Sequence, residues 1–399
     1  MLAQLLKKMR DEHRTFSLTV LSPWIPYPPH SGGTAHIVGA LRQLSHAYRI
    51  HLYALSAEPA PPVSPLLDST CEVVKTFPRP RRPRRGLAPP AVYQERSPEL
   101  IAYLRREWAT APPDLVQLEH TSMAQYVHLA REYGIPTVCT AQVVAFLAQI
   151  RRARRERHAA LRARRWLGAL SLWIYELRTL PLCDLVVTLS TEDAAELRRW
   201  LPRLPVAYVP SGVDLAGHPV RFNLQATDEV LFVGSYQHPP NVEGALWLAR
   251  EVWPLVRRAR PSACLTLAGR APTSEIQALA ANDIHIPGTL DDLGPLYARS
   301  SVMVAPIFWG SGVRIKILDS LAAGLPLVTT AAAAEGINLI EGESALFAER
   351  PEDFAAAIVR LLDNDALRTR LSAAGRAVIE RDYDWERVGT RLIGLYEQA

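Results

Sequence analysis

Short apolar runs alternate with amphipathic helical patterns along most of the chain. The first run, residues 16–21, is followed by a Pro/Gly-rich turn over 22–33 and by a helical pattern that begins at Thr34. Uninterrupted apolar runs between helices are typical of parallel strands that are covered on both faces. A strand, a glycine-containing loop and a helix in this order predict the opening of a doubly wound sheet.

Further apolar runs have the length and composition of strands. They cover 50–55, 115–118, 137–140, 185–189 and 207–210, and then 229–233, 264–268, 284–286, 302–305 and 325–329. Helical patterns separate them, and the last one covers 385–396. Two consecutive sets of alternating strands and helices predict an α/β fold of two Rossmann-like domains facing a cleft. We place these domains at 1–212 and 213–384.

Length and composition exclude several classes of protein. The chain has 399 residues, enough for two domains, and no apolar run approaches the length of a membrane span. The basic segment 1–14 lacks an apolar core with a cleavage site, so we expect a cytoplasmic protein without a signal peptide. No cysteine pair forms a C-x-x-C motif, which suggests reduced, buried thiols. The four cysteines are Cys71, Cys139, Cys183 and Cys264.

The charge is divided unevenly between the two halves. Residues 1–212 hold 28 Lys and Arg against 17 Asp and Glu, a formal charge of +11. Residues 213–399 hold 17 against 23, a formal charge of −6. A basic half joined to an acidic half suggests different partners for the two halves. Nucleic acid is not expected among them, because no nucleic-acid-binding motif is present.

Segment 150–165 predicts one arginine-rich helix. Apolar residues lie opposite the arginine arc, and Trp166 and Trp173 stand between the two faces. Such a helix suits an anionic membrane surface. The alternative is a solvated helix whose apolar side packs on the domain. The arginines are Arg151, Arg152, Arg154, Arg155, Arg157, Arg162, Arg164 and Arg165, and the opposing residues are Ala153, Ala160, Ala163, Leu167, Leu170 and Ile174.

The segment 309–326 carries the most specific chemistry. A glycine-rich turn is followed at once by Arg314 and Lys316, then by Asp319 on the same predicted helix face. Glycine backbone amides, a helix N-terminus and two cations suit a diphosphate, and a carboxylate one turn on suits ribose hydroxyls. The alternative is a helix cap with a surface pair between Lys316 and Asp319.

The order of residues in 309–326 resembles the donor-nucleotide motif of GT-B retaining glycosyltransferases of family 4, also called group 1. Further similarities are V-P-S-G-V-D at 209–214, F-V-G-S-Y-Q-H-P-P-N at 232–241 and A-E-G-I at 334–337. The resemblance implies that the second domain binds a nucleotide-sugar donor and the first binds the acceptor. It also implies that the helix within 385–399 packs back on the first domain.

The resemblance assigns the candidate site residues. His120, Arg314 and Lys316 are the candidate catalytic residues. The donor-binding candidates are Gly32, Gly33, Gly234, Gly288, Ser311, Gly312, Val313, Arg314, Lys316 and Asp319. The chain departs from the family pattern in two places. Ser311 and Asp319 occupy the positions of two glutamates in E-x7-E, and the loop 234–238 contains no Lys or Arg.

Histidines and acidic pairs supply the remaining candidates. His120 follows the strand predicted over 115–118, at a strand end where sites are built, and resembles the family residue that contacts the donor sugar. The alternative is a loop histidine bonded to backbone. His30 lies in the first glycine loop. The pair Asp382 and Asp384 is interpreted as structural. No cluster has metal-ligand spacing, so neither a metal nor a cofactor is expected.

The resemblance implies transfer of a sugar from a nucleotide-sugar donor with retention of anomeric configuration. The acceptor would be a lipid-linked or cell-envelope glycan, or a small glycoside, and the protein would be cytoplasmic or peripheral on an anionic membrane. Two alternatives from other classes remain open. One is a nucleotide-sugar epimerase of the same fold, and the other is a non-catalytic scaffold subunit of that fold.

Overall fold

The computed structural model describes residues 15–29, 31–57, 64–80, 89–218, 227–290, 292–310 and 314–398. The chain divides into two compact units. The first contains Met1–Pro210 and Glu386–Ala399, and the second contains Ser211–Trp385. Each unit is built on one parallel sheet with helices between successive strands.

The sheet of the first unit has seven strands in the order β3-β2-β1-β4-β5-β6-β7. All neighbouring strands are parallel. The predicted strands are confirmed, and β3 is an edge strand that the apolar pattern missed because it is only partly buried. The bounds are β1 Phe16–Ser22, β2 Tyr48–Ser56, β3 Val73–Pro78, β4 Leu115–Glu119, β5 Thr137–Ala141, β6 Leu185–Thr188 and β7 Val206–Tyr208.

Helices of the first unit connect these strands. The first begins at a capping box, in which the Ser31 hydroxyl accepts from the Thr34 backbone and the Thr34 hydroxyl accepts from Ser31. The α-helices are Gly32–Leu44, Pro65–Thr70, Pro90–Gln94, Pro98–Thr110, Val127–Glu132, Ala145–Arg155, Ala159–Thr179, Thr191–Trp200 and Trp385–Gln398, and 3-10 helices cover Thr121–Tyr126 and Leu180–Leu182.

The sheet of the second unit has six parallel strands in the order β10-β9-β8-β11-β12-β13. They are β8 Glu229–Val233, β9 Cys264–Ala268, β10 Ile284–Gly288, β11 Val302–Ala305, β12 Leu327–Thr329 and β13 Leu346–Phe347. The α-helices are Pro239–Trp247, Trp253–Ala259, Ser274–Gln277, Gly294–Arg299, Ile315–Ala322, Ala331–Ala334, Pro351–Asp363 and Asp365–Asp382, and a π-helix covers Leu248–Val252.

Both sheets have a topological switch point, where the strand order reverses. In the first unit it lies between β1 and β4, and in the second between β8 and β11. Loops that leave two such strands at their carboxyl ends diverge to opposite faces of the sheet, and ligands bind in the crevice between them. The sequence places the glycine loop and His120 at the first switch point, and Gly234 and Lys316 at the second.

The single helix predicted over 150–165 is wrong. The chain forms two helices, Ala145–Arg155 and Ala159–Thr179, with a break over 156–158. Glu156 causes the break, because its carboxylate accepts from the backbone amide of His158 and pairs with Arg165 at 3.0 Å. Among the described residues, no helix is both long enough and apolar enough to cross a membrane.

The four cysteines are free thiols. Three are buried, namely Cys71, Cys139 and Cys183. Cys264 is only half-buried, which corrects the expectation that all four thiols would be buried. Its position explains the difference, because it is the first residue of β9 and the burial of that strand becomes complete only one residue later.

Candidate active site

At the switch point of the second sheet, Lys316 reaches the glycine loop that follows β8. Its ammonium donates to the side-chain oxygen of Asn241 over 2.6 Å and lies 4.7 Å from the centre of the Phe232 ring. A Cβ placed on Gly234 would be 3.0 Å from this ammonium. The loop 234–238 contains no cation of its own, and Lys316 supplies one from the Ile315–Ala322 helix.

The electrostatic state of Lys316 favours the binding of an anion. Burial is the main reason that the pKa of Lys316 is lowered to about 7, and the positive charge of Arg314 contributes to the same shift. An anion that binds beside the ammonium would remove this penalty, because an opposite charge stabilises the protonated form. Lys316 is therefore only partly protonated in the free protein at neutral pH, and a bound anion would favour its charged form.

Arg314 is positioned by the backbone of the loop after β11. Its guanidinium Nη2 donates to the carbonyl of Trp309 over 3.3 Å. Gly310 has a φ of +124°, and a Cβ placed there would be 2.7 Å from Nη2. Only glycine tolerates both the backbone conformation and the close approach. The other glycine-turn candidates, Ser311, Gly312 and Val313, lie outside the described residues.

Asp319 lies one turn further along the Ile315–Ala322 helix. Its carboxylate is 3.9 Å from Nε2 of His218, whose Nδ1 contacts the carbonyl of Asp214 at 2.8 Å. Burial raises the pKa of Asp319, and His218 acts in the opposite direction. No ion pair joins Lys316 to Asp319, both of which the structure describes, so the alternative of a surface pair between them does not hold.

Gly288 is the remaining donor-binding candidate of the second unit. It ends β10 with a φ of +75°, a conformation that favours glycine. Its carbonyl accepts from the backbone amide of Gly269 over 3.0 Å, and Gly234 donates to the carbonyl of Ala268 over the same distance. The ends of β8, β9 and β10 are thus joined by backbone hydrogen bonds at the edge where Lys316 and Asn241 meet.

At the switch point of the first sheet, His120 follows β4 in a strained conformation. Its φ of +70° is rare for a residue with a side chain, and such strain clusters at functional sites. The imidazole lies edge-on to Trp24, with ring centres 4.6 Å apart. Burial lowers the pKa of His120 to about 4, and Gln142 opposes this shift, so the ring is neutral at pH 7.

Two ring nitrogens at this point have no hydrogen-bond partner within the described parts of the chain. They are Nε2 of His120 and Nε1 of Trp24, and both atoms are buried. An orphaned buried polar atom costs about 1–3 kcal/mol unless a ligand or water satisfies it. The alternative, a loop histidine whose ring is bonded to backbone, therefore does not describe Nε2 of His120. His30, from the same loop as Trp24, lies outside the described residues.

A buried polar network links β4 to the first glycine loop. Gln142 donates to the carboxylate of Glu119 over 3.0 Å and to the carbonyl of Gly33 over 3.4 Å. Gln117 donates to the other oxygen of Glu119. A Cβ placed on Gly33 would be 2.8 Å from the side-chain oxygen of Gln142, so a larger residue there would displace the Gln142 side chain. Gly32 is the first residue of the Gly32–Leu44 helix.

Sequence reasoning missed several residues of these two clusters. Asn241 stands out in the sequence only as part of a family pattern, although it accepts a hydrogen bond from Lys316. His218, Trp24 and Gln142 were not singled out. The available signal was position, since Trp24, Gln142 and Asn241 all stand in segments that follow a strand at a switch point or beside it.

Within the acidic pair at 382 and 384, Asp382 makes the contacts of a structural residue. Asp382 accepts from the Asn338 side chain over 3.0 Å and pairs with Arg381 at 2.7 Å. Among the described residues, no group of three or more His, Cys, Asp and Glu side chains is arranged to hold a metal ion. Charged groups at the second switch point include the cations Arg314 and Lys316 and the carboxylate of Asp319.

Two sequence profiles of glycosyltransferases match the chain. One, described as Glycosyl transferases group 1, matches residues 227–364, and the other, described as Glycosyltransferase Family 4, matches residues 30–216. An uncharacterized 44.6 kDa protein in the cps region of Klebsiella pneumoniae is 28% identical over 200 residues, which cover 47% of this chain and 49% of that protein. Phosphatidyl-myo-inositol mannosyltransferase from Mycobacterium tuberculosis is 28% identical over 248 residues, which cover 57% of this chain and 64% of that protein. The chain thus spans about half to two thirds of the length of these relatives.

Solved structures share the fold over nearly the whole chain. Sucrose-phosphate synthase from Thermosynechococcus elongatus superposes with a TM-score of 0.76 at 17% identity, over 96% of this chain and 98% of that one. Anabaena HepE in complex with UDP and glucose superposes with a TM-score of 0.69 at 12% identity, over 96% of this chain and 100% of that one. The chain has the two-domain α/β fold of the GT-B glycosyltransferases and belongs to glycosyltransferase family 4, group 1.

Proposed function

We propose that this protein is a retaining glycosyltransferase that uses a nucleotide-sugar donor. The acceptor is a lipid-linked or cell-envelope glycan, or a small glycoside. One observation carries the proposal: the Lys316 ammonium is held at the Gly234 loop by Asn241, with Arg314 beside it. Two cations at a glycine loop can bind a diphosphate. Asp319, one helical turn further along, can accept hydrogen bonds from ribose hydroxyls.

The chemistry assigns a role to each cluster. The bond between the anomeric carbon and the diphosphate oxygen breaks, and its electron pair passes to the diphosphate. Arg314 and Lys316 stabilise the charge that develops on this leaving group. The acceptor hydroxyl forms the new bond on the same face of the sugar and gives its proton to a departing phosphate oxygen. His120, neutral at pH 7, supplies a hydrogen-bonding nitrogen to the sugar.

In this proposal the second unit binds the donor and the first unit binds the acceptor. Neither a metal nor a cofactor is required, because Arg314 and Lys316 supply the positive charge that a divalent ion would otherwise bring to a diphosphate. The names of similar proteins support, respectively, a nucleotide-sugar donor and the transfer of a sugar. Anabaena HepE was solved with UDP-glucose, and the mycobacterial relative is named a phosphatidyl-myo-inositol mannosyltransferase.

The test is a screen of common nucleotide sugars, with and without acceptors, in which every product is identified. We expect slow donor hydrolysis for one nucleotide sugar and transfer when an acceptor is added, with retained anomeric configuration by NMR. The variant Arg314→Ala/Lys316→Ala should lose nucleoside diphosphate affinity far more than nucleoside affinity. The matched control, Arg258→Ala/Arg370→Ala, removes two exposed cations of the same unit and should behave as wild type.

The same screen separates the alternatives. An epimerase would convert one nucleotide sugar to another without an acceptor. A scaffold subunit would show no turnover of any donor. A product with inverted configuration would contradict retention while leaving sugar transfer intact. An equal loss of diphosphate and nucleoside affinity in Arg314→Ala/Lys316→Ala would contradict the assigned role of these cations.

A further inference from the structure

The helices Ala145–Arg155 and Ala159–Thr179 form a hairpin, which we call the arginine hairpin (residues 145–179). The helices pack against each other. The Glu176 carboxylate, near the end of the second helix, accepts from the backbone amides of Ala145 and Phe146 at 3.0 Å each. The end of the second helix therefore lies at the start of the first, and the turn over 156–158 forms the tip.

The tip of the arginine hairpin is strongly basic. Segment 145–179 contains nine arginines but only two carboxylates, Glu156 and Glu176. Glu156 pairs with Arg165, and the Glu176 carboxylate is buried against the backbone of the first helix. The exposed arginines near the tip are Arg152, Arg154, Arg155, Arg157, Arg162 and Arg164.

The second helix of the hairpin exposes an apolar stripe. Leu167, Leu170 and Ile174 are 68%, 52% and 39% exposed, and their spacing of three and four residues places them on one helix face. Trp166, 43% exposed, borders the stripe. Ala169 and Glu176 face the other side and are buried. The alternative of an apolar side packed on the domain holds for Ile150, Leu172 and Trp173, which pack against the core, but not for these exposed side chains.

An exposed apolar stripe next to a cluster of arginines is the composition of a helix that lies in a lipid interface. Isolated exposed apolar residues are ordinary, but three on one helix face beside a basic tip are not. Leucine and isoleucine side chains gain free energy when they enter the acyl boundary, whereas the arginines gain only if the surface is anionic. Both features are satisfied together by a membrane that contains acidic phospholipids.

We propose that the arginine hairpin docks this protein on an anionic membrane surface. Leu167, Leu170 and Ile174 enter the boundary between headgroups and acyl chains, and the tip arginines contact lipid phosphates. The proposal deepens the proposed function, because a protein held at the surface reaches a lipid-linked acceptor. It is tested without donor or acceptor, so its failure is distinguishable from a failure of the sugar-transfer proposal.

The first experiment is co-sedimentation with phosphatidylcholine vesicles, with and without phosphatidylglycerol, over a salt series. We expect binding only to the anionic vesicles, weakening as salt rises. Arg152→Glu/Arg154→Glu/Arg157→Glu should reduce binding by roughly a hundredfold, because each basic residue near such a surface contributes about 1 kcal/mol. The control Arg106→Glu/Arg258→Glu/Arg370→Glu changes net charge equally at exposed sites elsewhere and should retain most of the binding.

The second experiment tests the apolar stripe. Leu167→Ser/Leu170→Ser/Ile174→Ser should weaken vesicle binding by about tenfold or more, since buried apolar area is lost. The control variant Leu290→Ser/Ile340→Ser replaces two exposed apolar residues of the other unit and should not weaken vesicle binding. Circular dichroism and thermal unfolding of each variant establish that it is folded.

Three results would overturn the proposal. The first is equal, negligible binding to both vesicle types at low salt. The second is an equal loss of binding in the two charge-reversal variants, which would indicate net charge rather than the hairpin. The third is self-association that the stripe variant abolishes, in a protein that does not bind vesicles; this would identify a second copy of the chain as the occupant.

Discussion

The hydroxyl of Tyr396 donates a hydrogen bond to the side-chain oxygen of Gln117 over 2.9 Å, although 279 residues separate them. Burial raises the pKa of Tyr396 well above its usual value, so the hydroxyl keeps its proton and remains a donor. Gln117 in turn donates to Glu119, next to His120. The C-terminal helix is therefore connected to the polar network that reaches the first glycine loop.

Removing this hydroxyl should loosen the C-terminal helix. Tyr396→Phe leaves the Gln117 oxygen buried without its donor, which costs roughly 1–3 kcal/mol. We expect faster amide hydrogen exchange across 386–398, measured by mass spectrometry. The free energy of opening that protects these amides should fall by roughly 1–3 kcal/mol. The control is Tyr27→Phe, because the Tyr27 side chain is exposed. Unchanged exchange in Tyr396→Phe would show that the hydrogen bond does not hold the helix.

The strands of both sheets could be predicted from sequence because most of them are buried on both faces. Such strands appear as apolar runs, and β1, β4, β5, β8, β9 and β11 were each located within a residue or two. The edge strands β3 and β13 were missed. β3 has the sequence V-V-K-T-F-P and is half-exposed, and β13 has only two residues, so neither has an apolar run.

Contacts between distant side chains could not be predicted. Lys316 and Asn241 are 75 residues apart, and only the order of β8 and β11 brings them together. The break in the arginine helix depends on the pairing of Glu156 with Arg165 and on Glu176 at the start of the first helix. Helical periodicity alone continues through 156–158, because no Pro or Gly interrupts it.

The pKa of Lys316 predicts how diphosphate binding depends on pH. This pKa is about 7 in the free protein, so the ammonium loses its proton as pH rises through 7. A bound diphosphate favours the protonated form and raises the pKa, so binding takes up a proton. Affinity should therefore fall as pH rises above 7, approaching about tenfold per pH unit. Calorimetry in buffers of different ionisation enthalpy would measure the proton uptake.

Two variants isolate this effect. Lys316→Arg keeps the positive charge at every pH studied and should remove the pH dependence. Asn241→Asp places a carboxylate 2.6 Å from the ammonium, raises the pKa of Lys316 and should move the fall in affinity to higher pH. If all three proteins show the same pH profile, Lys316 is not the titrating group and Asn241 does not position it electrostatically.

Asp319 should contribute to nucleoside diphosphate binding through the ribose. Asp319→Ala is expected to weaken binding by roughly 1.5–3 kcal/mol, the scale of hydrogen bonds to a charged group. Isothermal titration calorimetry measures the change. Asp353→Ala is the control, because Asp353 is an exposed aspartate of the same unit whose carboxylate pairs with Arg350. A folded Asp319→Ala protein with wild-type affinity would refute the assignment.

Activity should not depend on a divalent metal ion. The positive charges of Arg314 and Lys316 stabilise the leaving diphosphate without one. We expect turnover to be retained after exhaustive treatment with EDTA, and added Mg²⁺ or Mn²⁺ to change it by less than about twofold, a stabilisation near 0.4 kcal/mol. A complete loss of activity with EDTA that Mg²⁺ or Mn²⁺ restores would contradict the proposed role of the two cations.

His120 should affect turnover more than nucleotide binding. Its Nε2 is buried without a partner in the described chain, and its backbone is strained at a φ of +70°. An atom held in this way is available to a ligand that the free protein lacks.

His120→Ala should lower kcat by about tenfold to a thousandfold, a loss of roughly 1.4–4 kcal/mol in transition-state stabilisation, with little change in nucleoside diphosphate affinity. Trp24→Phe removes the neighbouring orphaned donor but keeps an aromatic ring against the imidazole, and should cause a smaller loss. The measurements are steady-state kinetics with the native donor and separate calorimetry with the nucleoside diphosphate. Wild-type kcat in a folded His120→Ala protein would mean that His120 serves only the structure of the loop.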